Sequence, residues 1–192
     1  MRFDRLALAL TTFFVLCGGL NAAPKSFDDY LDALGQRESG GRGDYKATNP
    51  AGYLGRYQFG ELALVDCLFY EGDSTPYDND WVGKWLIDAA KLGVKSKDDF
   101  LDTPKAQDAA IWRYSELQWR TIVQLKLDQY DGKTIGGVAI TKSGMLGGAH
   151  LVGAGGLRKF LRSNGQTVPT DGNGTKITEY IQLFASYDVP FK

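Results

Sequence analysis

The chain of 192 residues contains a single histidine, His150, and only two cysteines, Cys17 and Cys67. A zinc site built on several histidine ligands is therefore excluded, and no pair of cysteines is placed to replace them. A nucleophilic pair of Cys67 with His150 is formally possible, but no neighbouring residue supports it. We expect Cys67 to be buried, and we expect neither a metal site nor a cofactor.

The sequence also lacks an excess of charge, with 22 basic and 23 acidic side chains and a net charge of −1 at pH 7. Nucleic acids and anionic membrane surfaces are bound by concentrated positive charge, so we expect neither as a partner. The sequence shows no internal repeat and no low-complexity tract, and a length of 192 residues is typical of one domain.

One long apolar run occurs, close to the beginning of the sequence. Two arginines precede a mostly apolar stretch over 6–19, and Ala22-Ala23 offers small residues for cleavage. This run is too short to favour a transmembrane helix, and the pattern is typical of a secretory signal peptide. We predict a signal peptide over 1–23, a mature domain over 24–192, and a periplasmic or secreted protein with no stable membrane insertion after cleavage. A retained N-terminal anchor is the alternative.

The first predicted helix carries an acidic residue on its apolar face. Glu38 lies four residues after Leu34 and seven after Leu31, at helical spacing. Burial disfavours the charged form of a carboxyl group, and so does the negative end of the helix dipole near Gly40-Gly41. We therefore expect Glu38 to keep its proton, as a general acid that cleaves a glycosidic bond must. A salt bridge to a nearby arginine is the alternative.

The remaining pattern predicts a mainly α domain with a small irregular or β-containing excursion after this first helix. Ser26 and Asp29 match a capping box, and residues 40–56 are rich in Gly, Asn and Pro. Asp171-Gly172-Asn173-Gly174 predicts a turn, because the distal glutamate of a calcium loop is missing. Further helices are expected over 57–67, 81–92, 103–130, 142–152 and 157–162, and after Thr175.

Several segments resemble the motifs of one known family. Glu38-Ser39 follows a Glu-Ser pattern at the end of a helix, 52–58 reads Gly-x-x-Gly-x-x-Gln, and Tyr180 stands in a late helix. Together they resemble the lysozyme-like superfamily, in particular peptidoglycan-cleaving domains of the lytic transglycosylase type. Two features depart from the family pattern and indicate a divergent subgroup. Tyr57 replaces the usual Met before Gln, and 148–156 replaces an Ala-Tyr-Asn-Ala-Gly-like helix.

This resemblance implies an α+β lysozyme-like fold and an exported enzyme that cleaves the glycan strands of peptidoglycan. Glu38 would protonate the glycosidic oxygen and then, as a carboxylate, activate water or the 6-hydroxyl of the substrate. An ordinary two-carboxylate hydrolase needs a second acid, for which Asp44 and Glu61 are candidates that we expect to be solvated. Substrate-binding roles are expected for Ser39, Tyr57, Gln58, His150 and Tyr180.

Simpler roles stay open for each of these residues. Ser39 would also serve as a helix cap, Gln58 as a turn-stabilising amide, and Tyr57, Tyr180 and His150 as core residues. Two other functions fit the same features: a catalytically silent glycan-binding module, and a chitinase-like or chitosanase-like hydrolase on the same fold.

Overall fold

The computed structural model describes residues 25–75 and 78–192, so the predicted signal peptide over 1–23 lies outside the described residues. The prediction of a mainly α protein is confirmed, with 48% of the residues in helices and 9% in strands. No helix in the described part of the chain combines the length and the apolar character needed to cross a membrane.

The described chain forms helices, with two pairs of short strands between them. The helices are α1 (Phe27–Glu38), α2 (Glu61–Asp66), α3 (Ile87–Ala90), α4 (Lys97–Asp102), α5 (Pro104–Gln124), a 3-10 turn (Asp128–Tyr130), α6 (Lys142–Arg162) and α7 (Ile177–Leu183). Two antiparallel pairs are formed by β1 (Tyr70–Glu71) with β2 (Lys84–Trp85) and by β3 (Thr134–Ile135) with β4 (Val138–Ala139). The irregular segment after α1 contains isolated bridges from Leu54 to Thr48 and to Phe59.

Helix α1 begins and packs as its sequence predicts. The Ser26 hydroxyl accepts a hydrogen bond from the Asp29 amide at 3.1 Å, and the Asp29 carboxylate accepts one from the Ser26 amide at 2.9 Å. This capping box satisfies two backbone donors that the first turn leaves without partners. The apolar face is buried down to Leu34, and Glu38 ends the helix at the edge of the same face.

Helices α6 and α7 approach each other closely because α6 presents glycines to its neighbour. A Cβ atom at Gly147 would lie 2.5 Å from Cδ2 of Phe184, and one at Gly148 would lie 3.1 Å from the side chains of Ile177 and Ile181. Thr141 caps α6 as predicted, and Gly153, at φ 70° and ψ 164°, interrupts the helix. The interruption that the glycines predict is therefore confirmed.

Three predicted helices are wrong in extent. The helix expected over 57–67 is confined to Glu61–Asp66. Of 81–92, the residues Ile87–Ala90 form a helical turn and Lys84–Trp85 a strand. Trp81 has a positive φ of 66°, which a regular α-helix does not contain, and its amide donates to the Glu61 carboxylate. The helix predicted over 103–130 ends at Gln124, because Lys126 adopts a φ of 58°.

The described residues share one hydrophobic core, to which α1, α5, α6 and α7 contribute most of the large side chains. Cys67 is fully buried there, as expected, and burial raises the pKa of its thiol to about 12. The turn predicted at Asp171-Gly172-Asn173-Gly174 is also confirmed, since the Asp171 carboxylate accepts from the amides of Asn173 and Thr175.

Candidate active site

Three helices bring Glu38, Tyr180 and His150 together. The Tyr180 hydroxyl of α7 donates to Oε1 of Glu38 at 2.7 Å, although the two residues are 142 positions apart in sequence. Nε2 of His150, on α6, lies 3.6 Å from the same oxygen, and the Glu38 and His150 side chains are 17% and 16% exposed. Within the described part of the chain, Oε2 of Glu38 accepts no hydrogen bond, so this oxygen is free to exchange a proton.

Tyr180 remains a hydrogen-bond donor over the whole physiological pH range. Burial raises the pKa of its phenol, and the nearby charge of Glu38 raises it further. The Arg37 guanidinium lies 5.4 Å from the centre of the Tyr180 ring and covers one side of it. Tyr180 therefore orients the Glu38 side chain as an uncharged hydrogen-bond donor.

A cavity of about 220 Å³ opens beside His150. Its walls include Tyr53, Tyr57, Gln58 and Asn79 from the irregular segments, and Tyr114 from α5. His150 both lines this cavity and lies against Glu38, and the Glu38 side chain is itself partly exposed rather than enclosed in the core. Aromatic walls with a few polar groups are typical of small-molecule and sugar sites.

Tyr114 also lines a second, more open cavity of about 490 Å³, which α5 borders with Gln118 and Arg120. Tyr114 is thus shared by the walls of both cavities. Gln118 donates to the Tyr114 hydroxyl at 2.7 Å, and burial raises the pKa of Tyr114 to about 12. Sequence analysis missed this residue, because one tyrosine on a helix that is apolar around much of its circumference gives no separate signal.

Tyr57 lines the cavity with its ring but directs its hydroxyl into the protein. The side chain is 2% exposed and donates to the Asp108 carboxylate of α5 at 2.9 Å. Tyr45 donates to the same carboxylate, also at 2.9 Å. Of the two tyrosines expected to bind substrate, the structure brings Tyr180 to Glu38 and gives the Tyr57 hydroxyl another partner.

Gln58 and Ser39 make the contacts of the simpler roles that were left open for them. Gln58 has a φ of 48°, donates to the Gly55 carbonyl at 2.9 Å and accepts from Asn49 at 2.9 Å. The Ser39 hydroxyl donates to the Gly35 carbonyl at 2.7 Å and accepts from the Asp44 amide at 3.0 Å. Both side chains hold nearby backbone in place, and Gln58 also forms part of the cavity wall.

The two candidates for a second carboxylate differ sharply. Asp44 is exposed, as expected. The expectation that Glu61 is solvated is wrong: it is 1% exposed and accepts from the Trp81 amide at 2.7 Å and from the Tyr70 hydroxyl at 3.3 Å. Burial raises the pKa of Glu61. The hydrogen bonds from Trp81 and Tyr70 offset part of the cost of burying this carboxylate.

Arg56 connects the irregular segment to α1, but through Asp32 and not through Glu38. Its guanidinium donates to Asp32 at 2.6 Å and to the Tyr45 hydroxyl at 2.8 Å. The side chain lies against Gly35, where any Cβ atom would collide with it. Arg56, one of the arginines considered as a partner for Glu38, therefore pairs with Asp32, six residues earlier on the same helix.

Comparison of the chain with protein-family models, with curated proteins and with solved structures gives no match.

Proposed function

We propose that this protein is an exported enzyme of lysozyme-like fold that cleaves the glycan strands of peptidoglycan, with Glu38 as general acid and base. The observation that carries the proposal is the setting of Glu38: partly buried, oriented by Tyr180, and next to His150, which lines an aromatic cavity. The segments that resemble lytic transglycosylases supply the substrate class. The Gly-rich segment of that resemblance contributes Tyr53, Tyr57 and Gln58 to the cavity wall.

In the proposed reaction, Oε2 of Glu38 donates its proton to the glycosidic oxygen as the bond from that oxygen to C1 breaks. The carboxylate then takes a proton either from water or from the 6-hydroxyl of the same sugar. The deprotonated oxygen bonds to C1, and Glu38 is restored to its acid form. Attack by the 6-hydroxyl gives an anhydro sugar, whereas attack by water gives a reducing end.

The position of the other carboxylates favours a mechanism with one catalytic acid. Glu61 is held by Trp81 and Tyr70, and Asp44 is exposed with one oxygen bound to the Lys46 amide at 2.8 Å. Neither forms a hydrogen bond or ion pair with Glu38, Tyr180 or His150 within the described part of the chain. An internal nucleophile such as the 6-hydroxyl needs no second carboxylate, whereas ordinary hydrolysis by water uses one.

The test is digestion of purified peptidoglycan sacculi, with the released fragments identified by mass spectrometry. Glu38→Gln preserves the size of the side chain and the acceptor for Tyr180 but removes the acid. It should lower the rate by a factor on the order of 10² to 10⁴. The matched control is Glu71→Gln, which makes the same chemical change at an exposed position on β1. The fragments also decide between an anhydro end and a reducing end.

A second variant separates positioning from acid catalysis. Tyr180→Phe removes the hydrogen bond to Glu38 and should lower kcat by about 10-fold to 100-fold with little change in KM. Wild-type protein that sediments with sacculi but releases no fragments would favour the glycan-binding module. Cleavage of soluble chitin oligomers without action on sacculi would favour the chitinase-like alternative.

A further inference from the structure

Three carboxylates meet beside the cavity, at a place that the proposed reaction does not use. Oxygen atoms of Glu61, Asp78 and Asp80 lie within 4.8 Å of one another. Glu61 begins α2, whereas the two exposed aspartates belong to the loop between β1 and β2. Negative charges at this separation repel one another, and a cation bound between them would offset that repulsion.

The Glu61 carboxylate has one oxygen with partners and one without. Oε1 accepts from the Trp81 amide and the Tyr70 hydroxyl. Oε2 is buried and has no hydrogen-bond partner among the described residues, in a side chain that is 1% exposed overall. Buried polar atoms are almost always satisfied in folded proteins, so an orphaned carboxylate oxygen calls for a ligand. A cation beside two further carboxylates satisfies it directly.

The aspartates are held in place by bonds that use one oxygen each. Oδ1 of Asp78 accepts from the Asp80 amide at 3.3 Å, and Oδ1 of Asp80 accepts from the Val82 amide at 2.9 Å. The second oxygen of each carboxylate forms no hydrogen bond in the described part of the chain. Each of the three residues therefore has one oxygen to offer.

We propose that Glu61, Asp78 and Asp80 bind a calcium ion. The donors are all oxygen atoms, which hard cations prefer, and zinc is disfavoured because no histidine or thiol belongs to the cluster. Three carboxylates suit calcium better than magnesium, which usually keeps most of its waters and takes one or two carboxylates. The sequence-based expectation of no metal site considered only histidine, cysteine and the 171–174 turn, and the spacing from Glu61 to Asp78 matches no short motif.

Calcium at this position would fix one wall of the cavity. Asn79, between the two aspartates, lines the cavity, accepts from the Glu61 amide at 2.9 Å and donates to the Ala51 carbonyl at 3.1 Å. The Trp81 indole donates to the Gly52 carbonyl at 2.8 Å. An ion that ties the 78–81 loop to α2 therefore also holds the turn at Ala51 and Gly52.

The test measures binding to the full purified chain, without any glycan, so it stands or fails separately from the proposed function. After treatment with EDTA and its removal, calcium chloride is added in calorimetric titration and in thermal unfolding. At 100 times its Kd, calcium should raise Tm by about 5 to 10 °C, and magnesium at the same concentration should raise it much less. Terbium should give luminescence sensitised by the nearby Trp81 and be displaced by calcium.

Asp80→Asn and Asp78→Asn keep the Oδ1 atoms that accept from the backbone but remove one charge each. Each should weaken calcium binding by roughly 10-fold or more. Asp98→Asn, at an exposed aspartate in α4, is the matched control and should bind as the wild type does. Absence of binding heat and of any Tm shift at millimolar calcium would overturn the proposal, and so would binding that both loop variants retain in full.

Discussion

The α6–α7 pair and the irregular segment 40–60 are held in place by different kinds of contact. Between the helices, glycines of α6 lie directly against Ile177, Ile181 and Phe184, and the contact is apolar. Its stability depends on shape, because any added atom collides with a neighbour. Tyr180 and His150 project from these two helices towards Glu38.

The irregular segment buries only three large side chains, Leu54, Tyr57 and Phe59, and polar side chains of α5 hold much of its remaining backbone. Gln107 of α5, which is fully buried, donates to the carbonyls of Tyr45 and Phe100 and accepts from the Arg56 amide, each at 2.9 Å. Asp108 accepts from Tyr45 and Tyr57. These contacts replace the regular hydrogen bonds that a helix or a sheet would have provided.

The difference shows which kind of substitution each half of the site tolerates least. The acid side, built on packed helices, depends on the sizes of small residues. The cavity side, built on an irregular loop, depends on a few buried donors and acceptors, each of which has several partners. The same kind of substitution should therefore change the free energy of unfolding by different amounts in the two regions.

Gln107→Leu should have the largest effect on stability. The substitution keeps the approximate size of the side chain but leaves the Arg56 amide and two carbonyls without their partner, at a cost of about 3 kcal/mol or more. Urea unfolding monitored by tryptophan fluorescence measures it. Gln124→Leu, the same change at an exposed position of α5, should stay within about 0.5 kcal/mol of the wild type. Equal effects of the two variants would contradict the comparison.

Gly147→Ala should have the second-largest effect on stability. The new methyl group would overlap the Phe184 ring, which costs about 1 to 3 kcal/mol, partly offset by a gain of about 1 kcal/mol in helix propensity. The matched control is Gly155→Ala in the same helix, where nothing lies within 4 Å, so that only the gain remains. Thermal unfolding should show shifts of opposite sign. A stabilised Gly147→Ala would show that α7 can move away at little cost.

The smallest effect concerns pH and the α1 capping box. Hydrogen bonds from the Ser26 side chain and then from its amide lower the pKa of Asp29. The stabilisation is therefore present above the unfolded value of about 4 and is lost as pH falls through the lower folded value. Asp29→Asn should reduce stability at pH 6 but differ little from the wild type at pH 2. Ser26→Ala should abolish most of the same pH dependence, and if it does not, the cap is not its cause.

The parts of the fold that could be predicted are those with local causes. Ser26 with Asp29, Thr141 and Gly153 each act within one helical turn, so their sequence positions were sufficient to predict the helix starts and the interruption. The helix predicted over 81–92 was wrong at a segment whose first residue has a positive φ and whose first amide binds Glu61, twenty residues earlier. Propensity alone contains no information on such a partner.

The candidate site divides in the same way. The position of Glu38 on an apolar helix face follows from spacing. Its contacts with Tyr180 and His150 depend on how α6 and α7 cross α1, for which the sequence offered only the family resemblance. Tyr114 and the carboxylate cluster at Glu61 were missed because they arise from chain segments that meet only in the folded protein.

The contact of Arg56 with Gly35 has a consequence for how this site is able to vary. Arg56 belongs to the segment that forms the cavity wall, and Gly35 lies one turn before Glu38. Helix and wall are thereby coupled through Arg56, which lies against Gly35 and also pairs with Asp32. A larger residue at position 35 would displace acid and wall together, so substrate preference is more readily altered at Tyr53 or Asn79, which line the cavity, than at position 35.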